Sequence, residues 1–259
     1  MNLRTLNATR YVTPLREGGS LPAIVEADDE GMYVLKFRGA GQGPKVLIAE
    51  LIAGELARAV GLRVPEIVFM DLDPLLARTE PDPEIQELIR ASGGLNLALD
   101  YLPGSVMFDP VVTQPQADEA SAIVWFDAFV SNVDRTARNT NMLMWHHQLW
   151  LIDHGAALYF HHSWSDDYLA RSADRFALIR DHVLLRFATQ LREAAEALTA
   201  RLSPDLIRDV VAQVPDIWLE GDAQFQTAQM YRDAYAAYLI RRLESPQAFL
   251  EEAIRALSV

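Results

Sequence analysis

The sequence predicts an α+β fold, with a small strand-rich part at the front and a larger, mostly helical part behind it. Three observations predict this. The first hundred residues carry several β-rich segments and one clear helix. A lone hairpin follows in the middle of the chain. From about Asp166 to Val259 almost everything has a helical pattern. Strands gathered before helices point to segregated layers or lobes. The joint is expected at Ala98–Pro103, which gives units 1–102 and 103–259.

In chain order, residues 8 to 38 read as strands, with AIVEA and MYVLKF parted by the turn-forming DDEG. GAGQGP then forms a loop. From Lys45 to Val60 apolar residues recur at helical spacing, and Gly61 stands where a C-terminal cap belongs. PEIVFMDL reads as a strand. DPLLARTEPDPEIQELIRASGG reads as a helical insertion, broken by prolines and closed by glycines. LNLALDYLPG is a short extended segment ending in a Pro-Gly turn. ADEASAIVWFDAFVSN is a helix with an apolar face, and the hairpin follows it. Ser203-Pro204 and Ser245-Pro246 each place a capping residue before a proline at the first helical position.

Bulk composition narrows the class. The 259 residues suit one large domain or two small lobes. Half of them are hydrophobic, enough for a substantial core. The formal net charge of −13, with Lys and Arg scattered, argues against a nucleic-acid partner. The chain has no cysteine, which excludes disulfides, thiolate metal sites and a cysteine nucleophile. Its N-terminus lacks the apolar core of a signal peptide. No apolar run approaches the roughly 18–20 residues of a membrane span. A cytoplasmic protein is expected.

The chemistry concentrates in SNVDRTARNTNMLMWHHQLWLIDHG, residues 131–155. Asp134 and Asn139 share a loop fed by a helix, and Asp153 ends the returning strand of the hairpin. A hairpin brings its ends together, so the loop and Asp153 are expected to be neighbours. Two carboxylates in one cleft repel. Coordination of Mg2+ by Asp153, with Asn139 as a neutral oxygen donor, relieves that conflict. Mg2+ takes few protein ligands and fills its shell with water and phosphate oxygens. Asp134 is then free to accept a proton from an attacking hydroxyl. Phosphoryl transfer needs such a set, because the protein's task there is to position groups and offset charge. Helix, loop with Asp and then Asn, hairpin and Asp-led tripeptide is the order found in kinases. The step from Asp134 to Asn139 equals that of HRDxxxxN.

The segments YVLKFRG, AELIAGELARAVGLRVPE, LDYLPG, FDAFVSNVDRTARN and LWLIDHGAALYFHH together resemble the HipA-like kinases, in the short form without the extra N-terminal module of the HipA toxins. The resemblance spans most of the chain. It implies a bilobal, protein-kinase-like fold with a small β-rich N-lobe and a mostly helical C-lobe, using ATP and Mg2+. It implies that Lys36 contacts the α- and β-phosphates, with Glu50 as its ion-pair partner and Glu55 as the second candidate. Asp134 resembles the catalytic base, Asn139 a metal ligand and Asp153 the principal metal ligand. Ala98 to Leu102, with Asp100 and Tyr101 between them, resembles the hinge whose backbone bonds adenine. Gly18, Gly19 and Ser20 take the place of the phosphate-covering loop. Arg135 and Arg138 are candidates for offsetting phosphate or substrate charge. The acceptor the family implies is a protein Ser or Thr hydroxyl, while a lipid or small molecule stays open.

Two departures stand out. The kinase loop G-x-G-x-x-G is absent, which supports a second reading as a nucleotide-binding pseudokinase. His154 stands where protein kinases place Phe. GAGQGPK follows a strand and precedes a helix, but Gly39, Gly41 and Gly43 have the wrong spacing for a phosphate loop, so it reads as a connector. His146, His147, His154, His161 and His162 raise a third reading, a metal-dependent phosphoesterase. Against it, adjacent histidines on a strand point to opposite faces.

Overall fold

β1 (Thr5–Pro14), β2 (Ala23–Ala27) and β3 (Met32–Lys36) run as an antiparallel meander in the computed structural model. The structure describes residues 3–15, 21–41, 43–165, 167–222 and 224–258. Gly18, Gly19 and Ser20 lie outside the described residues. β4 (Ile67–Leu72) and β5 (Gly94–Asp100) complete a closed barrel in the order β1-β2-β3-β5-β4, shut by parallel pairing of β1 with β4. Side chains on a strand alternate between faces. Tyr33, Leu35 and Phe37 join Val25, Val68, Met70 and Ala98 in the barrel core. Lys36 therefore faces the opposite way.

The helix α1 (Pro44–Ala59) is buried on every side from Leu47 to Ala57. A helix apolar all round belongs in the interior of a fold, and α1 packs with the main core rather than with the barrel core. Gly54 lets it approach β4, since a Cβ there would stand 2.4 Å from Ile67 Cδ1. Gly61 has φ +92°, the left-handed geometry that ends a helix. The predicted helical insertion is a 3-10 turn at Pro74–Thr79 followed by α2 (Pro83–Ala91), capped by Asp73 and Asp82.

Behind the barrel lie α3 (Ala117–Val130) and a three-stranded sheet, β6 (Val106–Met107), β7 (Met142–Trp145) and β8 (Gln148–Leu151), in that order. The predicted hairpin is β7–β8, turning through His146 and His147 with both φ angles positive. α4 (Tyr168–Arg171), α5 (Leu191–Arg201), α6 (Pro204–Val211), α7 (Ala228–Glu244) and α8 (Gln247–Leu257) follow.

The expectation of near-continuous helix from Asp166 onward is corrected at its beginning. Between residues 167 and 190 the described chain has one four-residue helix and two 3-10 turns. Side chains tie this stretch down instead. Arg242, fully buried on α7, donates to the carbonyls of Ser172 and Asp174 and to those of Ala128 and Phe129 at the end of α3. Ser203 caps α6 as predicted, its hydroxyl accepting the Leu206 N–H at 3.1 Å. α8 starts one residue later than predicted, with Pro246 flanking it. No described helix is long and apolar enough to cross a membrane.

Candidate active site

Lys36 ends β3 on the face turned away from the barrel core, and its ammonium meets two carboxylates. Glu50 Oε2, from α1, lies 2.5 Å away. Asp153 Oδ1, just past β8, lies 2.7 Å away. An amine from the front of the chain and an acid 117 positions later are thus in direct contact. Burial alone would push the Lys36 ammonium toward its neutral form, but the charges of Asp153 and Glu50 override it and raise its pKa. For Glu50 burial opposes ionisation, yet Lys36 and His154 bring its pKa down to about 2. The second candidate partner, Glu55, pairs with Arg58 at 3.2 Å and is not joined to Lys36.

Asp153 adopts φ +55°, a left-handed turn at the end of the strand, and stays half exposed. His154 is fully buried, with Nδ1 3.6 Å from Glu50 Oε1, just beyond hydrogen-bond reach. Gly155 is where α1 comes closest, because a Cβ there would stand 2.6 Å from Val46 Cγ1.

All three asparagines before the hairpin turn on Asp134. Asn132 Oδ1 accepts the Asp134 backbone N–H at 3.2 Å. Asn139 Nδ2 donates to Asp134 Oδ2 at 2.6 Å, and Asn141 Nδ2 reaches the same oxygen at 3.3 Å. Backbone bonds from Val133 to Ala156 (3.4 Å) and from Ile152 to Asn141 (3.0 Å) tie this loop to the segment carrying Asp153. The predicted neighbourhood of loop and hairpin end is present.

Arg135 does not face a phosphate site. It is 1% exposed, and its Nε donates to Asp127 Oδ2 at 2.5 Å. Arg138 is exposed. At the expected hinge, several backbone groups are already paired. Ala98 pairs with Leu35 on one side and Val68 on the other, so its backbone is committed to the barrel. The N–H groups of Asp100 and Tyr101 donate to the carbonyls of Glu66 (2.8 Å) and Met32 (3.0 Å). That of Leu102 donates to no backbone carbonyl among the described residues. Lys45, in the GAGQGPK connector, is engaged by the His161 carbonyl at 2.8 Å and by Asp222 at 3.1 Å.

The residues expected to hold Mg2+ are Asn139 and Asp153. Asn139 offers an amide oxygen and Asp153 a carboxylate, hard donors that suit Mg2+ sharing its shell with phosphate oxygens. Among the described residues, no three His, Cys, Asp or Glu side chains gather as a metal cage. His146 and His147 sit exposed on the hairpin turn, His154 is buried beside Glu50, and His161 and His162 meet through their Nε2 atoms at 3.2 Å.

Asp127, Asn132, Asn141 and His182 escaped the sequence reading. The available signal was Asp127 itself, a carboxylate in the middle of the apolar run IVWFDAFV. Such a residue is rarely buried without a partner.

Comparison with known proteins adds the following. The family model described as HipA-like kinase matches residues 9–251. No curated protein sequence matches. The crystal structure of the Helicobacter pylori proinflammatory kinase CtkA is similar over 98% of this chain and 99% of that one, with a TM-score of 0.56 and 13% identity. The Golgi casein kinase with Mn/ADP bound is similar over 97% of this chain and 73% of its own, with a TM-score of 0.51 and 12% identity. At such identities the likeness concerns the fold.

Proposed function

Because the chain belongs to the HipA-like kinase family, we propose that it is an ATP- and Mg2+-dependent phosphotransferase that passes the γ-phosphate to a hydroxyl, a protein Ser or Thr in the first instance. One observation carries this reading: Lys36 is bonded at once to Glu50 and Asp153. An isolated surface lysine has no such arrangement. In this reading 1–102 is the N-lobe, 103–259 the C-lobe, and the reaction runs between them in a cytoplasmic enzyme.

The roles follow from the chemistry of each group. Lys36, fixed by Glu50, presents a permanent positive charge to the α- and β-phosphates. The backbone of Asp100 to Leu102 bonds the adenine edge, with the Leu102 N–H as donor. Asn139 and Asp153 would hold Mg2+, which when bound would offset the charge of the phosphates. Asp134 accepts the acceptor's hydroxyl proton, its carboxylate aimed by the amides of Asn139 and Asn141. Gly18, Gly19 and Ser20 remain the proposed cover for the phosphates. The Golgi casein kinase was solved with Mn/ADP, which supports the use of a nucleotide and a divalent cation here.

Transfer of labelled γ-phosphate from ATP tests the proposal. The wild-type chain is expected to label a protein acceptor or itself with Mg2+ present. Asp134→Asn is expected to lower the rate by about 10²–10⁴-fold. Nucleotide binding without any transfer would instead establish the pseudokinase reading.

A further inference from the structure

We infer that Asp127 is a positioning residue for Asp134, holding it through two separate hydrogen-bonded arms; the inference rests on the kinase reading above. Asp127 lies near the end of α3 and is fully buried. Its Oδ1 accepts the Asn132 amide at 3.1 Å, and Asn132 Oδ1 accepts the Asp134 backbone N–H at 3.2 Å. Its Oδ2 accepts Arg135 Nε at 2.5 Å. Arg135 Nη1 donates to the Asn141 carbonyl, and the Asn141 amide reaches Asp134 Oδ2 at 3.3 Å. The first arm grips the backbone of Asp134 and the second its carboxylate.

A third group fixes the hub. His182 Nε2 lies 2.9 Å from Asp127 Oδ2, and His182 Nδ1 accepts the Leu184 N–H at 3.0 Å. The ring therefore carries its proton on Nε2 and donates it to Asp127. Burial opposes a charge on Asp127, but Arg135 and His182 hold its pKa well below the usual carboxylate range. Burial lowers the pKa of His182, so it stays neutral and the hub contains one anion and one cation. The Val183 N–H also donates to the Arg135 carbonyl at 3.1 Å, anchoring residues 182–184 to the same loop. A buried ion pair is a weak source of net stability compared with apolar packing. What this one supplies is orientation, because two of its contacts lead on to Asp134, one through Asn132 and one through Arg135 and Asn141.

Full-length Asp127→Asn and Asn141→Gly test the inference. Glycine suits the φ of 48° at position 141, and that variant leaves the buried pair intact. Two readouts are taken: amide hydrogen exchange at Asp134, and kcat with ATP KM for γ-phosphate transfer, the latter repeated in an Asp134→Asn background. Asp127→Asn is expected to speed Asp134 exchange by about tenfold or more while amides of β2 and β3 keep their protection. It is expected to lower kcat about a hundredfold, to change ATP KM less than about threefold, and to cost nothing further once Asp134→Asn is present, since groups acting as a unit are not additive. Asn141→Gly, cutting only the carboxylate arm, is expected to lower kcat about tenfold with Asp134 exchange unchanged. Unchanged Asp134 exchange in Asp127→Asn overturns the inference, and so does an equal kcat loss in both backgrounds. If Asp127→Asn does not fold, Asn141→Gly decides, and undiminished kcat there overturns it. Exchange needs no turnover, so a wild-type chain that transfers no phosphate sinks the kinase reading while the tether is still judged by exchange.

Discussion

Lys36 is the residue on which the front and rear of the chain agree. Its replacement separates catalysis from stability. Lys36→Met is expected to lower kcat/KM for transfer by about 10²–10³-fold, the loss seen when one preorganised charge donor is removed. It also strands Glu50 as a buried charge, and denaturant unfolding should show a loss of about 3–5 kcal/mol. Glu50→Gln should lose less, because it leaves no buried charge unpaired. A pH prediction follows from Glu50. Its pKa is about 2 in the folded chain against an ordinary value of 4.5. The unfolded chain binds the proton first as pH falls. The stability Glu50 contributes is therefore full above about pH 4.5 and is lost as pH drops toward about 2. Glu50→Gln should flatten the stability curve over that window, and an unchanged slope would contradict the buried pair.

At the scale of elements, α1 and the turn after Asp153 fit by the absence of one side chain. Gly155→Ala puts a Cβ against Val46 Cγ1, at 2.6 Å before any adjustment. Overpacking of this kind costs about 1–3 kcal/mol. Because α1 carries Glu50, transfer should weaken along with stability, and Val46→Ala should restore both. Failure of that rescue would mean that α1 does not set the site. Much of this level was legible in the sequence. The helix ending at Gly61, the hairpin after α3 and the order of Asp134, Asn139 and Asp153 all follow from local patterns. β6 was not legible, since two residues carry no period and its place is set by pairing with β7. Nor was the stretch from 167 to 190, where the carbonyls of Ser172 and Asp174 are held by a distant arginine, Arg242. The pairing of Ala98 and Leu99 on both sides is set by the barrel register, which no local pattern in the sequence carries. Asn132 and Asn141 carry no signal of their own in the sequence, and only the fold shows that they converge on Asp134.

The whole molecule has two cores, one inside the barrel and one running through α1, α3 and the C-terminal helices. Buried neutral histidines add a first acid-sensitive step to that architecture. Burial lowers the pKa of both His161 and His182, so the unfolded chain takes up their protons first. Stability is expected to be full above about pH 6.5 and to fall below it, ahead of the carboxylate window. His182→Gln should remove part of that first step in a thermal melt. The central claim, that Lys36, Asn139 and Asp153 serve one magnesium-bound nucleotide, is tested most directly by the stabilisation that ATP plus Mg2+ confers. At about a hundredfold excess over Kd, the wild-type chain should gain about 2.7 kcal/mol with the pair and far less with either component alone. Asp153→Asn should abolish the dependence on Mg2+. A wild-type chain that gains nothing from ATP plus Mg2+, or an Asp153→Asn chain that gains as much as wild type, would contradict the account.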